Sequence, residues 1–337
     1  MANKRVGKRT VKLQNNPTII SAASVVGPKE GQGPLKDKFD LILSDDLYGE
    51  KTWELAESKM VQTIMEMNVK KVNKTLEDVD LLFAGDLLNQ LFPASFAARE
   101  LGVPFFGIYG ACSTMTEAMC LGSMAIDGEY ANYVLCGASS HYCTAERQFR
   151  FPLELGNQKP MTAQWTVTGA GGVLLTKEGK GPKIKYIIPG KVIDKGIDDG
   201  NNMGAAMAPA AIDTIYSYFQ DTKDDPNSFD LIATGDLGKL GKEITIDLLK
   251  NMKLDISKVY TDCGLEIFNL EEQDVHCGGS GCGCSATVFC SYIYDKLIKK
   301  EFNKVMLVST GALLSPTSTL QKQTIPSVAH GVVIVNE

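Results

Sequence analysis

The chain has 337 residues, of which 44% are hydrophobic and 22% are charged, and its formal net charge is −6. These proportions are those of a folded globular protein, and the negative balance gives no reason to expect nucleic acid as a partner. The longest apolar runs are strand-sized, well short of the roughly 20 residues that a membrane span needs, and the basic N-terminus lacks the apolar core of a secretory leader. We therefore expect neither a signal peptide nor a transmembrane segment.

Apolar, β-rich runs alternate with helical patterns along the chain, which predicts an α/β fold with largely parallel strands. In the first part, strands are predicted near 18–26, 80–84, 105–109, 133–137 and 171–175, with helices near 52–68, 93–101 and 113–127. In the second part, strands are predicted near 184–189, 231–234, 258–262, 304–309 and 331–335, with helices near 210–219, 244–252 and 285–299.

The two parts repeat each other. Gly110-Ala111-Cys112-Ser113 is matched 172 positions later by Cys282-Gly283-Cys284-Ser285, and 80–87 is matched by 230–237, both ending in Gly-Asp-Leu. The helices that follow the two cysteines are apolar nearly all round, so they belong between sheets. The sequence thus predicts a duplicated five-layer αβαβα fold with two buried central helices and two halves, 1–180 and 181–337.

The duplicated halves, the buried helix headed by Cys112 and the glycine-rich stretch 278–285 together resemble the thiolase-like superfamily. Within it, the stretches 110–114, 139–150, 207–211 and 309–316 resemble a sporulation family. That resemblance implies binding of dipicolinic acid, a pyridine dicarboxylate, or of its calcium chelate, during uptake into the developing spore. It also implies a homodimer, partners among the spore-membrane proteins of the same operon, and a peripheral position on the cytoplasmic side of the forespore or spore inner membrane.

Catalysis in this superfamily needs a cysteine nucleophile, a base and donors for an oxyanion. Cys112 fits the first role, because a helix N-terminus can lower the pKa of a thiol. The histidine expected in the second-half loop is replaced by Ser280, and 309–312 replaces the second cysteine turn. We therefore expect a non-catalytic protein; the alternative is an acyl-transfer or condensing enzyme that uses Cys112 as nucleophile and His141 as an unorthodox base.

A small dianion could be bound by the N–H groups of two helix N-termini, by nearby hydroxyls and by two arginines, all of which donate hydrogen bonds to carboxylates. The predicted ligand contacts are Cys112, Ser139, Ser140, His141, Arg147, Arg150, Ser280 and Gly281. A surface ion pair with Glu146 or Glu154 is the other interpretation of the two arginines. Phe149, Phe151 and Trp165 either sandwich the ligand's ring or fill the core. No cofactor is predicted, and no metal site, since His276, Cys277, Cys282 and Cys284 lack structural-zinc spacing.

Overall fold

The computed structural model describes residues 3–149 and 159–336. The strands before residue 181 are β1 (Val11–Lys12), β2 (Thr18–Val26), β3 (Leu41–Ile42), β4 (Leu81–Gly85), β5 (Phe105–Gly107), β6 (Tyr133–Ser140), β7 (Trp165–Thr166) and β8 (Gly169–Thr176). Those after it are β9 (Lys183–Ile188), β10 (Leu231–Thr234), β11 (Tyr260–Asp262), β12 (Gly279–Ser280), β13 (Lys304–Ala312) and β14 (Ser327–Val335).

The helices of the first half are α1 (Trp53–Lys71), α2 (Phe92–Leu101), α3 (Thr114–Asp127) and α4 (Tyr142–Phe149). Those of the second half are α5 (Met203–Thr222), α6 (Gly238–Asn251), α7 (Cys263–Glu266), α8 (Cys282–Val288), α9 (Tyr294–Ile298) and α10 (Pro316–Leu320), with a π-helical segment, Phe289–Ile293, joining α8 to α9. Among the described residues, none of these helices combines the length and the apolarity that crossing a bilayer requires.

The main sheet runs in the order β11-β10-β13-β14-β9-β2-β8-β6-β4-β5, so the two halves carry the same internal strand order. Its halves are joined at β2 and β9 through a single pair, Thr18 and Lys183. The predicted boundary between residues 180 and 181 falls in the turn just before β9.

The expectation of largely parallel strands is wrong. In each half, the two pairings towards the outer edge are parallel and the two towards the junction are antiparallel, as in β4 with β6 and β6 with β8. The alternation of apolar runs and helices does not record strand direction, so it could not distinguish the antiparallel pairing of β6 with β8 from a parallel one.

The five-layer arrangement follows from what the helices contact. Helix α3 packs against β4 and β6 of the first half and against β13 and β14 of the second, while α8 packs against β6 and β8. Helices α1 and α2 cover the outer face of the first half, and α5 and α6 cover that of the second. The thiolase-like α/β fold is therefore confirmed, although the second buried helix begins at Cys282 rather than Ser285.

Local sequence explains where the long helices begin. The Thr52 hydroxyl accepts a hydrogen bond from the Leu55 N–H, and the Asn202 side chain accepts one from Ala205, so α1 and α5 both start at an N-cap. Helix α3 is built from small and apolar residues and is buried along most of its length, which lets sheets approach it from both sides.

Candidate functional site

Cys112 lies on a tight turn just before α3 and is only 6% exposed. The turn is closed by the Ser113 N–H, which donates to the Gly110 carbonyl at 3.0 Å. Ala111 adopts a left-handed conformation with φ 49°, which is rare for a residue with a side chain. The strained turn directs Cys112 into the interface between the halves, where such strain often marks a functional position.

Elements of the second half close around this turn. A Cβ atom added to Gly311 of β13 would lie 2.1 Å from the Gly110 carbonyl oxygen, so only glycine permits this approach. The Cys282 thiol, at the start of α8, donates to the Ala111 carbonyl at 3.0 Å. The two helix starts identified as repeats thus meet in the interior.

The side chain that organises the site is Asp236, which follows β10. Its carboxylate accepts hydrogen bonds from the Ser280 hydroxyl at 3.0 Å, the Gly281 N–H at 3.0 Å and the Thr310 hydroxyl at 2.6 Å. The Cys112 thiol lies beside the same carboxylate, and each group affects the pKa of the other. We call these five residues the Asp236 site.

Burial controls the protonation of this site. It raises the pKa of Asp236 to about 6, because desolvation outweighs the hydrogen bonds that stabilise the anion. Burial, then the Asp236 carboxylate and the Cys282 thiol, raise the pKa of Cys112 well above its usual range. Cys112 is therefore a neutral thiol near pH 7, and its pKa is raised rather than lowered as the helix N-terminus predicted.

Ser139 and Ser140 are neighbours on β6, so their side chains point to opposite faces of the sheet. The Ser140 hydroxyl lies on the inner face, where it donates to the Val167 carbonyl at 2.7 Å and accepts from the Gly283 N–H at 3.0 Å. It supports the start of α8 beside the Asp236 site. The Ser139 hydroxyl instead donates to Glu57 of α1 at 2.9 Å.

His141 is buried, and both of its ring nitrogens are engaged. The Cys143 N–H donates to Nδ1 at 3.2 Å, so Nε2 carries the proton and donates to the Asp46 carbonyl at 2.8 Å. Desolvation lowers the pKa of this ring, which stays neutral. His141 is therefore held by the loop that contains Asp46, and the hydrogen bonds place it in a structural role rather than as the base of Cys112.

The other histidines are also held elsewhere. His330 accepts from the Gly190 N–H at 3.0 Å, and burial lowers its pKa to about 4. His276 lies 3.9 Å from the Asp274 carboxylate. In the part of the chain that the structure describes, none of the three histidines hydrogen-bonds to Cys112.

Arg147 lies on the surface of α4, half exposed, where it forms an ion pair with Glu54 and stacks 5.5 Å from the Trp53 ring centroid. The surface ion pair expected as its alternative role is thus present, with a different acidic partner. Arg150 and Phe151 lie outside the described residues.

Trp165 and Tyr142 form a stacked pair close to the site, with ring centroids 4.0 Å apart. The Lys29 ammonium lies 4.1 Å from the Trp165 centroid, and that of Lys159 lies 4.8 Å from it. Trp165 pairs with Gly279 and Thr166 with Ser280, so this aromatic pair lies one residue along β7 from the Asp236 site.

Sequence reasoning used Asp86 and Asp236 only to align the repeats and missed their role. Both end a Gly-Asp pair that follows equivalent strands, and both are buried. Asp86 accepts from the Ala94 N–H at 2.9 Å, and burial beside Glu57 raises the pKa of both carboxyl groups. A polar residue repeated at the carboxyl end of two apolar strands was the signal that pointed to them.

A family model described as stage V sporulation protein AD matches residues 7–335. The chain is 45% identical over 330 residues to stage V sporulation protein AD of Bacillus subtilis strain 168, covering 98% of this chain and 97% of that protein.

Solved structures support the fold. A 3-oxoacyl-[acyl-carrier-protein] synthase III from Aquifex aeolicus has a TM-score of 0.58 at 12% identity, covering 95% of this chain and 100% of that one. OleA from Xanthomonas campestris with bound cerulenin has a TM-score of 0.60 at 14% identity, and the match covers 96% of this chain and 98% of that one. The chain therefore belongs to the stage V sporulation protein AD family and has the thiolase-like fold of these neighbours.

Proposed function

We propose that this protein binds dipicolinic acid, with or without calcium, and takes part in its uptake into the developing spore without catalysing acyl transfer. The observation that carries the proposal is the position of the Cys112 thiol beside the buried Asp236 carboxylate. A nucleophilic cysteine needs a base or cation that favours the thiolate. Cys112 has a buried carboxylate beside it instead, which favours the neutral thiol.

The charge of the Asp236 site favours the calcium chelate over the free dianion. The hydroxyl and N–H donors that would receive a ligand carboxylate already bind Asp236. The free dianion would therefore find no available hydrogen-bond donors here and would be repelled by the negative charge of Asp236. The calcium chelate is neutral, and its cation favours carboxylate oxygens such as those of Asp236.

The aromatic pair beside the site suits a planar ring. Trp165 and Tyr142 offer π surface next to β12, and the Lys29 ammonium group supplies positive charge close to it. These residues replace Phe149 and Phe151 in our proposed arrangement of the ligand.

Calorimetric titration tests the proposal with dipicolinate alone and with an equimolar calcium mixture. We expect saturable binding that is tighter for the calcium mixture. Cys112→Ala removes one weak donor and should lower affinity only about two- to fivefold. Cys120→Ala is the matched control, because that buried thiol contacts the Gly331 carbonyl away from the site.

Asp236→Asn separates the two ligand forms. We expect it to weaken binding of the calcium chelate by about tenfold or more, since it removes a charged ligand, while relieving repulsion of the free dianion. Absence of saturable binding of either form at millimolar concentration would refute the proposed function.

The second candidate is an acyl-transfer or condensing enzyme that uses Cys112. The strained Ala111 turn favours it, because the turn places a cysteine at the head of a buried helix. Incubation with acyl-coenzyme A followed by intact-mass measurement tests it. A stable acyl adduct that is lost in Cys112→Ser would favour the enzyme.

We further propose a homodimer that works peripherally on the cytoplasmic side of the forespore or spore inner membrane, with spore-membrane proteins of the same operon. Within the described chain, β5 ends the sheet with one open edge; Phe106 in this strand is 55% exposed and Tyr109 just after it is 43% exposed. Pairing of two copies of β5 would cover this edge and continue the sheet across both subunits.

A further inference from the structure

The basic segment at the start of the chain is folded against the body. Between residues 3 and 16 it contains five lysines and arginines and no acidic residue. Arg5 and Val11 bridge a short hairpin, which continues into β1 and pairs with β9. Asp221, near the end of α5, accepts hydrogen bonds from the backbone N–H groups of residues 8, 9 and 10 at 2.8 to 2.9 Å.

The five cations of this segment divide into two sets. Lys4 pairs with Asp127 at the end of α3 at 2.6 Å, and Arg9 pairs with Asp213 of α5. These two pairs hold the hairpin between the end of α3 and the middle of α5, helices that belong to different halves. The side chains of Arg5, Lys8 and Lys12 are exposed.

Two exposed side chains with apolar surface lie in this hairpin and just beyond the helix end that holds it. Val6, within the hairpin, is 41% exposed, and Tyr130, three residues beyond Asp127, is 83% exposed. We call Arg5, Val6, Lys8, Lys12 and Tyr130 the basic patch.

Most of the acidic groups next to the basic patch are held in ion pairs or hydrogen bonds. Asp127, Asp213 and Asp221 are bound by the hairpin itself. Glu129 pairs with Lys177 at 2.6 Å, and Glu178 follows Lys177 in the chain. The exposed charge of the patch is therefore positive.

The basic patch lies at the opposite end of α3 from the Asp236 site. Cys112 precedes the first turn of this helix, whereas Asp127, which holds Lys4, is its last residue. A helix of 14 residues is about 21 Å long. A surface bound to the patch would therefore leave the Asp236 site unobstructed.

We propose that the basic patch docks directly on anionic lipid headgroups. Three exposed cations give attraction to a negatively charged bilayer surface, and Tyr130 and Val6 suit the boundary between headgroups and acyl chains. An acidic protein segment would match the cations but would leave these apolar side chains without a matching surface. The inference rests on the membrane location proposed above and supplies a contact that needs no protein partner.

Vesicle co-sedimentation tests the inference with the full chain. We expect binding to vesicles of phosphatidylglycerol and phosphatidylcholine, weakening with salt, and little binding to phosphatidylcholine alone. Each basic residue near an anionic surface contributes about fivefold to the partition coefficient. The triple variant Arg5→Glu/Lys8→Glu/Lys12→Glu should therefore lower this coefficient on the order of a hundredfold or more. Tyr130→Ser should lower it less and leave the salt dependence intact.

The matched control is Lys36→Glu/Lys51→Glu/Lys239→Glu, which changes net charge equally at exposed lysines outside the patch. It should retain most of the binding. Equal loss in both triple variants, equal binding to neutral vesicles, or no sedimentation with anionic vesicles would overturn the inference. So would capture of polyglutamate by the patch without any vesicle binding, which would indicate an acidic protein partner.

Dipicolinate titration of the patch variant keeps the two proposals separable. We expect its ligand affinity to match that of the unmodified protein, and unchanged melting would show that it is folded. Loss of vesicle binding with intact dipicolinate binding supports the docking surface. Failure of the unmodified protein to bind dipicolinate would refute the proposed function. The vesicle experiment would still decide the lipid-docking proposal independently.

Discussion

Two opposing effects act on the Asp236 carboxylate. Its hydrogen bonds stabilise the charged form, whereas removal from water stabilises the neutral form, and the second effect is larger, so the pKa rises to about 6. The same burial keeps the neighbouring Cys112 thiol protonated. At the scale of single residues, the interior of this fold therefore favours neutral groups over a reactive ion pair.

This shift predicts a pH-dependent contribution to stability. A carboxyl group whose pKa is higher in the folded state stabilises the protein fully below its unfolded pKa, near 4, and this contribution is lost as pH rises to about 6. Relative to Asp236→Asn, the unmodified protein should lose up to about 3 kcal/mol of unfolding free energy between pH 4 and pH 7.5. Denaturant unfolding of both proteins at each pH measures this. The same difference at both pH values would contradict it.

Sequence alone identified Cys112 and Ser280, and the structure brings both to Asp236. It did not identify Asp236 or Thr310 as their partners, because hydrogen bonding between distant segments is decided by packing. Ser139 and Ser140 illustrate the limit well: adjacent hydroxyls were predicted to share a site, yet the alternation of a strand sends them to opposite faces.

At the scale of elements, the tight packing of β13 against the turn that carries Cys112 fixes the geometry of the site. Gly311→Ala would place a methyl group 2.1 Å from the Gly110 carbonyl oxygen. The backbone cannot move aside as a flexible side chain does. We therefore expect the substitution to lower the free energy of unfolding by about 2–4 kcal/mol.

The matched control is Gly200→Ala, where the nearest atom to the new methyl group is a Leu314 carbon at 3.5 Å. It should change stability by about 1 kcal/mol or less. Thermal and denaturant unfolding of the two variants compare them directly. Similar stabilities would show that β13 and the turn are less tightly apposed than the structure indicates.

Strand and helix positions were largely predictable because periodicity and flanking glycines are local signals. β2 and β10 begin and end where expected, and α3 ends at Asp127 as predicted. Strand direction was not predictable, because the same apolar run serves a parallel or an antiparallel neighbour. The early start of α8 was missed since its first turn is glycine- and cysteine-rich, a composition typical of loops.

At the scale of the whole molecule, the halves share one interior. One strand pair joins their sheets, but α3 packs against strands of both, so neither half buries its inner face alone. The open edge at β5 lies at the far end of the first half. Assembly of two subunits would thus extend the sheet without altering the interior.

The proposed dimer gives a test at this scale. Phe106→Asp places a charge on the open β5 edge, at a side chain that is already 55% exposed. We expect the monomer to stay folded and the dimer to dissociate, because the buried charge would lack a partner. Analytical ultracentrifugation measures the mass. Leu320→Asp, at a side chain 84% exposed on α10, is the control and should leave association unchanged.

The three hydrogen-bond donors gathered on Asp236 have a consequence for ligand release under the proposed function. The protein itself satisfies them, so departure of the ligand would expose no unpaired group. The calcium ion of an incoming chelate would share the Asp236 carboxylate with these donors rather than meet a bare charge. Such a site would bind its ligand less tightly and release it more easily.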